Sequence, residues 1–324
     1  MEKNGTNPLK DIKTFIRMYS IVNLENVDIV FAYQAKAVVY GCVAAKIAKV
    51  EKIYALITGA GSVFNLEGFK GNLIKKILSL QYKIALSCCN CIFFQNMDNE
   101  IMFKKMELVK GQNTYIVNGS GINLNYFTPQ PLPKDDVFLF IGRLLRDKGI
   151  LEYLKAARIV KSKYPNAKFQ VLGPFDTNPT TIEIKDMEPY IKKGYIEYLG
   201  ATDDVRPFLK ECSVFVLPSY HEGRSRSTIE AMAIGRPIIT TDAPGCRETI
   251  IDGVNGFLVP VKDVKALAEK MIWMIENKEI REKMARESLK ICQDRYDVNK
   301  VNKDLLKVMN LYTPNEIVNN SAKN

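Results

Sequence analysis

His221-Glu222-Gly223-Arg224-Ser225-Arg226-Ser227-Thr228-Ile229-Glu230-Ala231-Met232-Ala233 sets two carboxylates, Glu222 and Glu230, seven intervening residues apart across a loop that runs into a helix. Just upstream, Val214-Phe215-Val216-Leu217 is a short apolar, β-branched run stopped by Pro218, and reads as a buried strand. Ser227 followed three residues later by Glu230, with Ile229, Met232 and Ala233 at helical spacing, is a capping-box pattern. Glu222 is thereby placed in the loop at the strand's carboxyl end, and Glu230 in the first helical turn. Between them lies a helix amino end with free backbone N–H groups, flanked by Arg224 and Arg226, which suits a diphosphate. A carboxylate reaching a ribose hydroxyl beside such a helix end is the logic of a nucleotide-sugar site.

Outward from this unit, strand and helix patterns alternate, as in a parallel α/β sheet. The second half offers strands at 137–141, 168–172, 196–199, 214–217 and 237–240, with helices at 148–163, 203–210, 227–234 and 263–276. The first offers strands at 28–32, 52–57 and 91–95, with helices at 36–49 and 70–87. The proline-dotted polar stretch 125–136 reads as a linker, giving a first domain over 1–124 and a second over 137–299. A helical tail follows, with 300–324 as a crossover helix and a polar end.

Composition narrows the class. A chain of 324 residues suffices for about two domains. There is no run of 18 or more apolar residues to cross a membrane, and the first residues lack a hydrophobic signal core. Seven cysteines, an odd number, then argue for free thiols in a reducing compartment. Cys88, Cys89 and Cys91 cluster, but His221 is the only histidine and no second cluster completes a zinc site. The net charge of +10 is spread along the chain without a nucleic-acid module. Anionic substrates or an anionic membrane surface account for it better. In residues 69–83, lysines alternate with apolar residues at helical spacing, a pattern that suits a helix lying on a membrane or, more plainly, one packed on its own domain.

Two further strand ends carry chemistry. Val137-Phe138-Leu139-Phe140-Ile141 leads into Gly142-Arg143, with Lys148-Gly149 following. Thr58-Gly59-Ala60-Gly61 follows the apolar run 53–57, and its glycines allow a backbone to approach a ligand closely, though a tight turn is the plainer reading.

The Glu222–Glu230 spacing resembles the E-x7-E signature of family-4 retaining glycosyltransferases. The wording from Glu222 to Glu248 is similar to that of bacterial enzymes extending undecaprenyl-diphosphate-linked sugars, N-acetylgalactosaminyltransferases among them. The resemblance runs from about residue 7 to about 312 and departs at Ser225, where proline is usual. It implies the GT-B fold: two Rossmann-like α/β domains facing a cleft. It assigns Arg143 and Lys148 to the donor diphosphate, Glu230 to the ribose and Glu222 to the donor sugar at its anomeric centre. Gly142, Gly223, Arg226, Ser227 and Thr228 complete the donor site, and Thr58, Gly59, Gly61, Asn118 and Gly119 face the cleft on the acceptor side.

The implied reaction moves a hexose or N-acetylhexosamine from a UDP-sugar to a lipid-linked saccharide, with the leaving phosphate helping to take the acceptor proton. No cofactor, metal or nucleic acid is expected. The implied place is the cytoplasm, peripherally on the inner face of the membrane. A first-domain histidine common in the family has no counterpart, and His221 is not its equivalent. The first half also looks short, lacking an opening βαβ unit and glycine-rich turn; this truncation puts acceptor positioning, and with it transfer, at risk. A GT-B epimerase and an inactive nucleotide-sugar-binding remnant are the alternatives.

Overall fold

The computed structural model describes residues 8–59, 68–178 and 180–312. Gly61 lies outside them. In the first half, α1 (Pro8–Leu24), β1 (Ile29–Tyr33), α2 (Ala35–Ile47), β2 (Lys52–Ile57), α3 (Gly68–Ser87), β3 (Cys91–Phe94), α4 (Met97–Lys105) and β4 (Asn113–Ile116) alternate. The strands lie in the order β1-β2-β3-β4, each parallel to the next. β2 and β3 read as continuous apolar runs because they are buried on both faces. α1 packs on α2 and α2 on α3, burying Val38, Cys42, Tyr82 and Leu86 against the sheet.

The second half starts in the middle of its sheet. β5 (Val137–Ile141) is followed by α5 (Ile150–Lys163), β6 (Lys168–Leu172), α6 (Ile184–Lys192), β7 (Glu197–Tyr198) and α7 (Arg206–Glu211), moving to one edge. The chain then returns to the other side of β5 with β8 (Val214–Leu217), α8 (Arg226–Ala233), β9 (Ile238–Thr241), β10 (Gly256–Val259) and α9 (Val264–Glu276). The resulting order, β10-β9-β8-β5-β6-β7, is parallel throughout. Strand order reverses between β5 and β8, so the crevice at their carboxyl ends is where such a sheet takes a ligand.

Two local departures from the sequence reading have simple causes. The helix expected from 148 begins at Ile150, after a 3-10 turn at Arg146–Lys148. Gly149 sits between them in the left-handed region (φ 71°), and a Cβ there would lie 2.0 Å from the Pro218 carbonyl oxygen. The helical tail is two helices, α10 (Lys278–Arg295) and α11 (Val298–Val308), broken where Asp297 caps the second. At that break Ile122 N donates to Tyr296 O (2.7 Å) and Val298 N to Ile122 O (3.0 Å). α11 then lies against the first half, where Val301 and Met309 pack with Tyr54, Leu56 and Phe93.

The linker is pinned by one buried cation. Arg236, with no exposed surface, donates to the carbonyls of Gln130, Pro131, Leu209 and Lys210 at 2.8–3.1 Å.

Candidate active site

Because β5 and β8 are neighbours, the loops leaving their carboxyl ends meet despite their separation in the chain. Lys148 Nζ donates to Glu222 Oε1 at 2.5 Å, and both side chains are largely shielded. The Glu222 loop is held from below: Tyr220 N and Ser219 Oγ both donate to Asp147 O, and Glu222 N donates to Pro244 O. Lys148 is therefore delivered to the carboxylate by a braced backbone rather than by a free surface loop.

The helix amino end needs a correction. Ser225, not Ser227, is the N-cap of α8: its Oγ accepts from Thr228 N (3.3 Å) and from Thr228 Oγ1 (2.7 Å). The helix starts earlier because Ser225 N is bound to Gly245 O, which holds Ser225 in extended geometry. Ser227 and Thr228 thus lie inside the first turn and Glu230 in the second, so Glu230 takes no part in a capping box. Its Oε1 instead accepts from Arg226 Nε at 2.9 Å. Burial raises the Glu230 pKa, and Arg226 pulls it back only in part.

Glu230 and Arg226 line a pocket of about 440 Å³ together with Ile122, Asn123, Tyr126, Phe127 and Asp203 to Val205. One wall is therefore the end of the first half together with the start of the 125–136 stretch, which sequence reading took only as a linker. Arg206, bound bidentately by Asp204, stacks 3.7 Å from the Tyr126 ring and stiffens the pocket edge.

Arg143 stands apart from these groups. Its Nη1 pairs with Asp176 Oδ2 at 2.7 Å, and half of its side chain is exposed. Gly142 ends β5 beneath it, its carbonyl against Gly173.

The first half contributes more than the glycine loop expected of it. Gly223 lies so close to Thr58 that a Cβ would fall 1.7 Å from the Thr58 carbonyl oxygen, and Gly59 faces the same glycine. Gly119, beside half-buried Asn118, packs on the Arg224 side chain. Four residues that sequence reading missed join the contact: Gln95 O accepts from Arg224 Nη2 (2.6 Å), and Asn96 Nδ2 donates to Gly223 O (2.7 Å). Asp98 pairs with Arg247 (2.7 Å), and Asn99 Oδ1 lies 3.0 Å from His221 Nε2. Burial lowers the His221 pKa and keeps the ring neutral.

Comparison with known proteins gives the family and the fold. The chain is 30% identical over 318 residues to the Campylobacter jejuni N,N'-diacetylbacillosaminyl-diphospho-undecaprenol alpha-1,3-N-acetylgalactosaminyltransferase, covering 93% of this chain and 82% of that protein. It is 26% identical to the Escherichia coli UDP-Gal:alpha-D-GlcNAc-diphosphoundecaprenol alpha-1,3-galactosyltransferase, covering 83% and 72% of the two chains. Its fold is similar to that of Anabaena HepE solved in complex with UDP, with a TM-score of 0.75 at 17% identity over 92% of this chain and 82% of that one. Two parallel α/β sheets facing each other in this way are the GT-B fold. Residues 125–290, which hold the Lys148–Glu222 pair and Glu230, match the family of glycosyl transferases group 1, and the chain belongs to that family as a glycosyltransferase.

Proposed function

We propose that the protein moves a hexose or N-acetylhexosamine, with retention, from a UDP-sugar to an undecaprenyl-diphosphate-linked saccharide in the building of cell-surface glycan. The observation that carries this reading is the meeting of Lys148 and Glu222 at the β5/β8 crevice, on the loop that runs into the helix whose Glu230 lines a pocket. The relatives' activities, two transfers to diphospho-undecaprenol sugars, supply the acceptor class.

In this reading the pocket takes the nucleoside, with Glu230 accepting from the ribose hydroxyls. The diphosphate lies over the amino end of α8, where Ser227 presents its backbone N–H, that of Thr228 being held by the Ser225 cap. Lys148 exchanges Glu222 for the diphosphate, and Arg143 swings from Asp176 to join it. Their charge stabilises the departing UDP, so no metal is needed. Glu222 faces the sugar. The bond from the anomeric carbon to the phosphate oxygen breaks, the acceptor oxygen bonds to that carbon on the same face, and its proton passes to the leaving phosphate. Thr58, Gly59, Asn118 and Gly119 bound the acceptor side.

The acceptor's lipid implies a membrane, and among the described residues no helix is long and apolar enough to cross one. The helical layer of the first half offers a surface instead. On α3, Leu73, Ile77, Leu80 and Ile84 recur at helical spacing and are each at least 50% exposed, while Tyr82, Ala85 and Leu86 on the opposite face are buried. Lys76 and Lys83 are exposed on the same helix, which carries no acidic residue. α1, across α2, exposes Ile12, Ile16, Ile21 and Leu24. We place this layer on the anionic inner face of the membrane.

The test of the reaction is transfer from radiolabelled UDP-sugars to undecaprenyl-diphosphate saccharides. Label entering the lipid phase in the α configuration supports the reading. A β product, or donor epimerised without transfer, overturns it.

A further inference from the structure

We propose that Asn96 is a positioning residue for the donor sugar, acting across the cleft by holding the backbone of the Glu222 loop. The proposal rests on Glu222 facing the sugar. Asn96 follows β3, at the carboxyl edge of the first sheet, and has no exposed surface. Its two amide ends are committed in different directions. Oδ1 caps α4, accepting from Asn99 N at 2.8 Å, which fixes the amide plane. Nδ2 then donates to two successive carbonyls of the other half, Glu222 O at 3.1 Å and Gly223 O at 2.7 Å. One side chain thus ties a helix start in one domain to the backbone of the sugar-facing loop in the other.

The loop has no slack to absorb a loss of these bonds in a defined way. Gly223 is pressed against Thr58 O, and the Glu222 carbonyl against Gly245, where a Cβ would lie 2.2 Å from it. The work on Glu222 is therefore divided. Lys148, in the same domain, engages the carboxylate; Asn96, from the opposite domain, sets the backbone from which that carboxylate projects. The nucleotide end of the site, at Glu230 and Arg226, touches neither Asn96 bond. Removing those bonds should leave UDP affinity intact and misplace the sugar.

Asp and Ser both cap helices well, so Asn96→Asp and Asn96→Ser keep the α4 cap and lose the two donors. For the full chain carrying either substitution we expect a folded protein with a modestly lower melting temperature, lower for Asn96→Asp because it sets a carboxylate against the two carbonyls, UDP affinity within about threefold by calorimetry, and kcat for sugar transfer lower by about a hundredfold, the scale of a 1 Å misplacement. UDP-sugar hydrolysis without acceptor should fall in parallel, since the defect lies at the donor. Full transfer activity in both variants overturns the proposal. So does loss of folding or of UDP binding alongside transfer, which would make Asn96 a structural strut. Glu222→Gln is measured beside them: if it too transfers normally, the sugar-facing role of Glu222 has failed, whereas impaired Glu222→Gln with normal Asn96 variants removes only the Asn96 proposal.

Discussion

Lys148 and Glu222, 74 residues apart in the chain, share an ion pair at the one place in the second sheet where strand order reverses. In the proposed reading the pair is a resting arrangement that the donor breaks, its diphosphate taking the place of Glu222 on Lys148. Breaking it from either side should therefore have unequal effects. Glu222→Gln frees the lysine, and UDP should bind as well as in the wild type or better, with transfer lost. Lys148→Met removes the cation itself, and both UDP affinity and transfer should fall, affinity by about tenfold or more for one charge-assisted contact. Calorimetry and turnover on the two variants check this; equal losses of UDP affinity would contradict it.

Glu230 is held in a site that disfavours its charge, since burial raises its pKa and Arg226 offsets this only partly. Glu230→Gln keeps the shape and removes the buried charge. The melting temperature should stay level or rise, while UDP affinity drops by roughly tenfold to a hundredfold, the worth of a charge-assisted hydrogen bond of about 1.5–3 kcal/mol. A fall in both would mark Glu230 as a support of the fold rather than a ligand for ribose.

The apolar stripe on α3 should behave as a lipid-facing surface. The protein is expected to sediment with phosphatidylglycerol vesicles and to detach as salt rises, because attraction between exposed charges is screened. Ile77→Glu should abolish binding at any salt, and Lys76→Glu with Lys83→Glu should weaken it at low salt. Indifference to vesicle charge would return the stripe to an ordinary surface.

His221 gives a pH signature that the rest of the chain cannot imitate, being the only histidine. Its folded-state pKa is depressed from 6.5 by burial. The unfolded chain thus takes up a proton first as pH falls, and stability is full above about 6.5 and declines below it until the folded ring protonates. Glu230, with a raised pKa, acts in the opposite sense at lower pH. Urea midpoints of the wild type and His221→Gln should accordingly diverge at pH 7.5 and approach each other toward pH 5.5. A difference constant with pH would show that the ring is not buried neutral.

Much of this was legible in the chain. Runs such as Phe215-Val216-Leu217 and Phe138-Leu139-Phe140 are apolar because parallel strands are covered on both faces, and the polar groups just beyond them mark strand ends. The α8 start was misread by two residues because serines stand at both 225 and 227; the choice is made by Gly245, a tertiary partner with no local signal. Asn96 was invisible for the same reason: its partners lie 126 and 127 residues downstream. Arg143 was legible as a strand-end cation, but its partner Asp176 was not. β4, half-exposed and reading Asn-Thr-Tyr-Ile, lacks the apolar run that marks the equally short β3 and β8, and β10 also went unread.

The chain crosses between the halves at Ile122 and again at Asp297, and the two crossings are stitched to one another by the Ile122–Tyr296 and Val298–Ile122 backbone bonds. Two parallel crossings sewn together form a seam, not a tether. Any separation of the halves that keeps these stitches must be taken up elsewhere, by parting Asn96, Asp98 and Asn99 from 221–223 and Arg247.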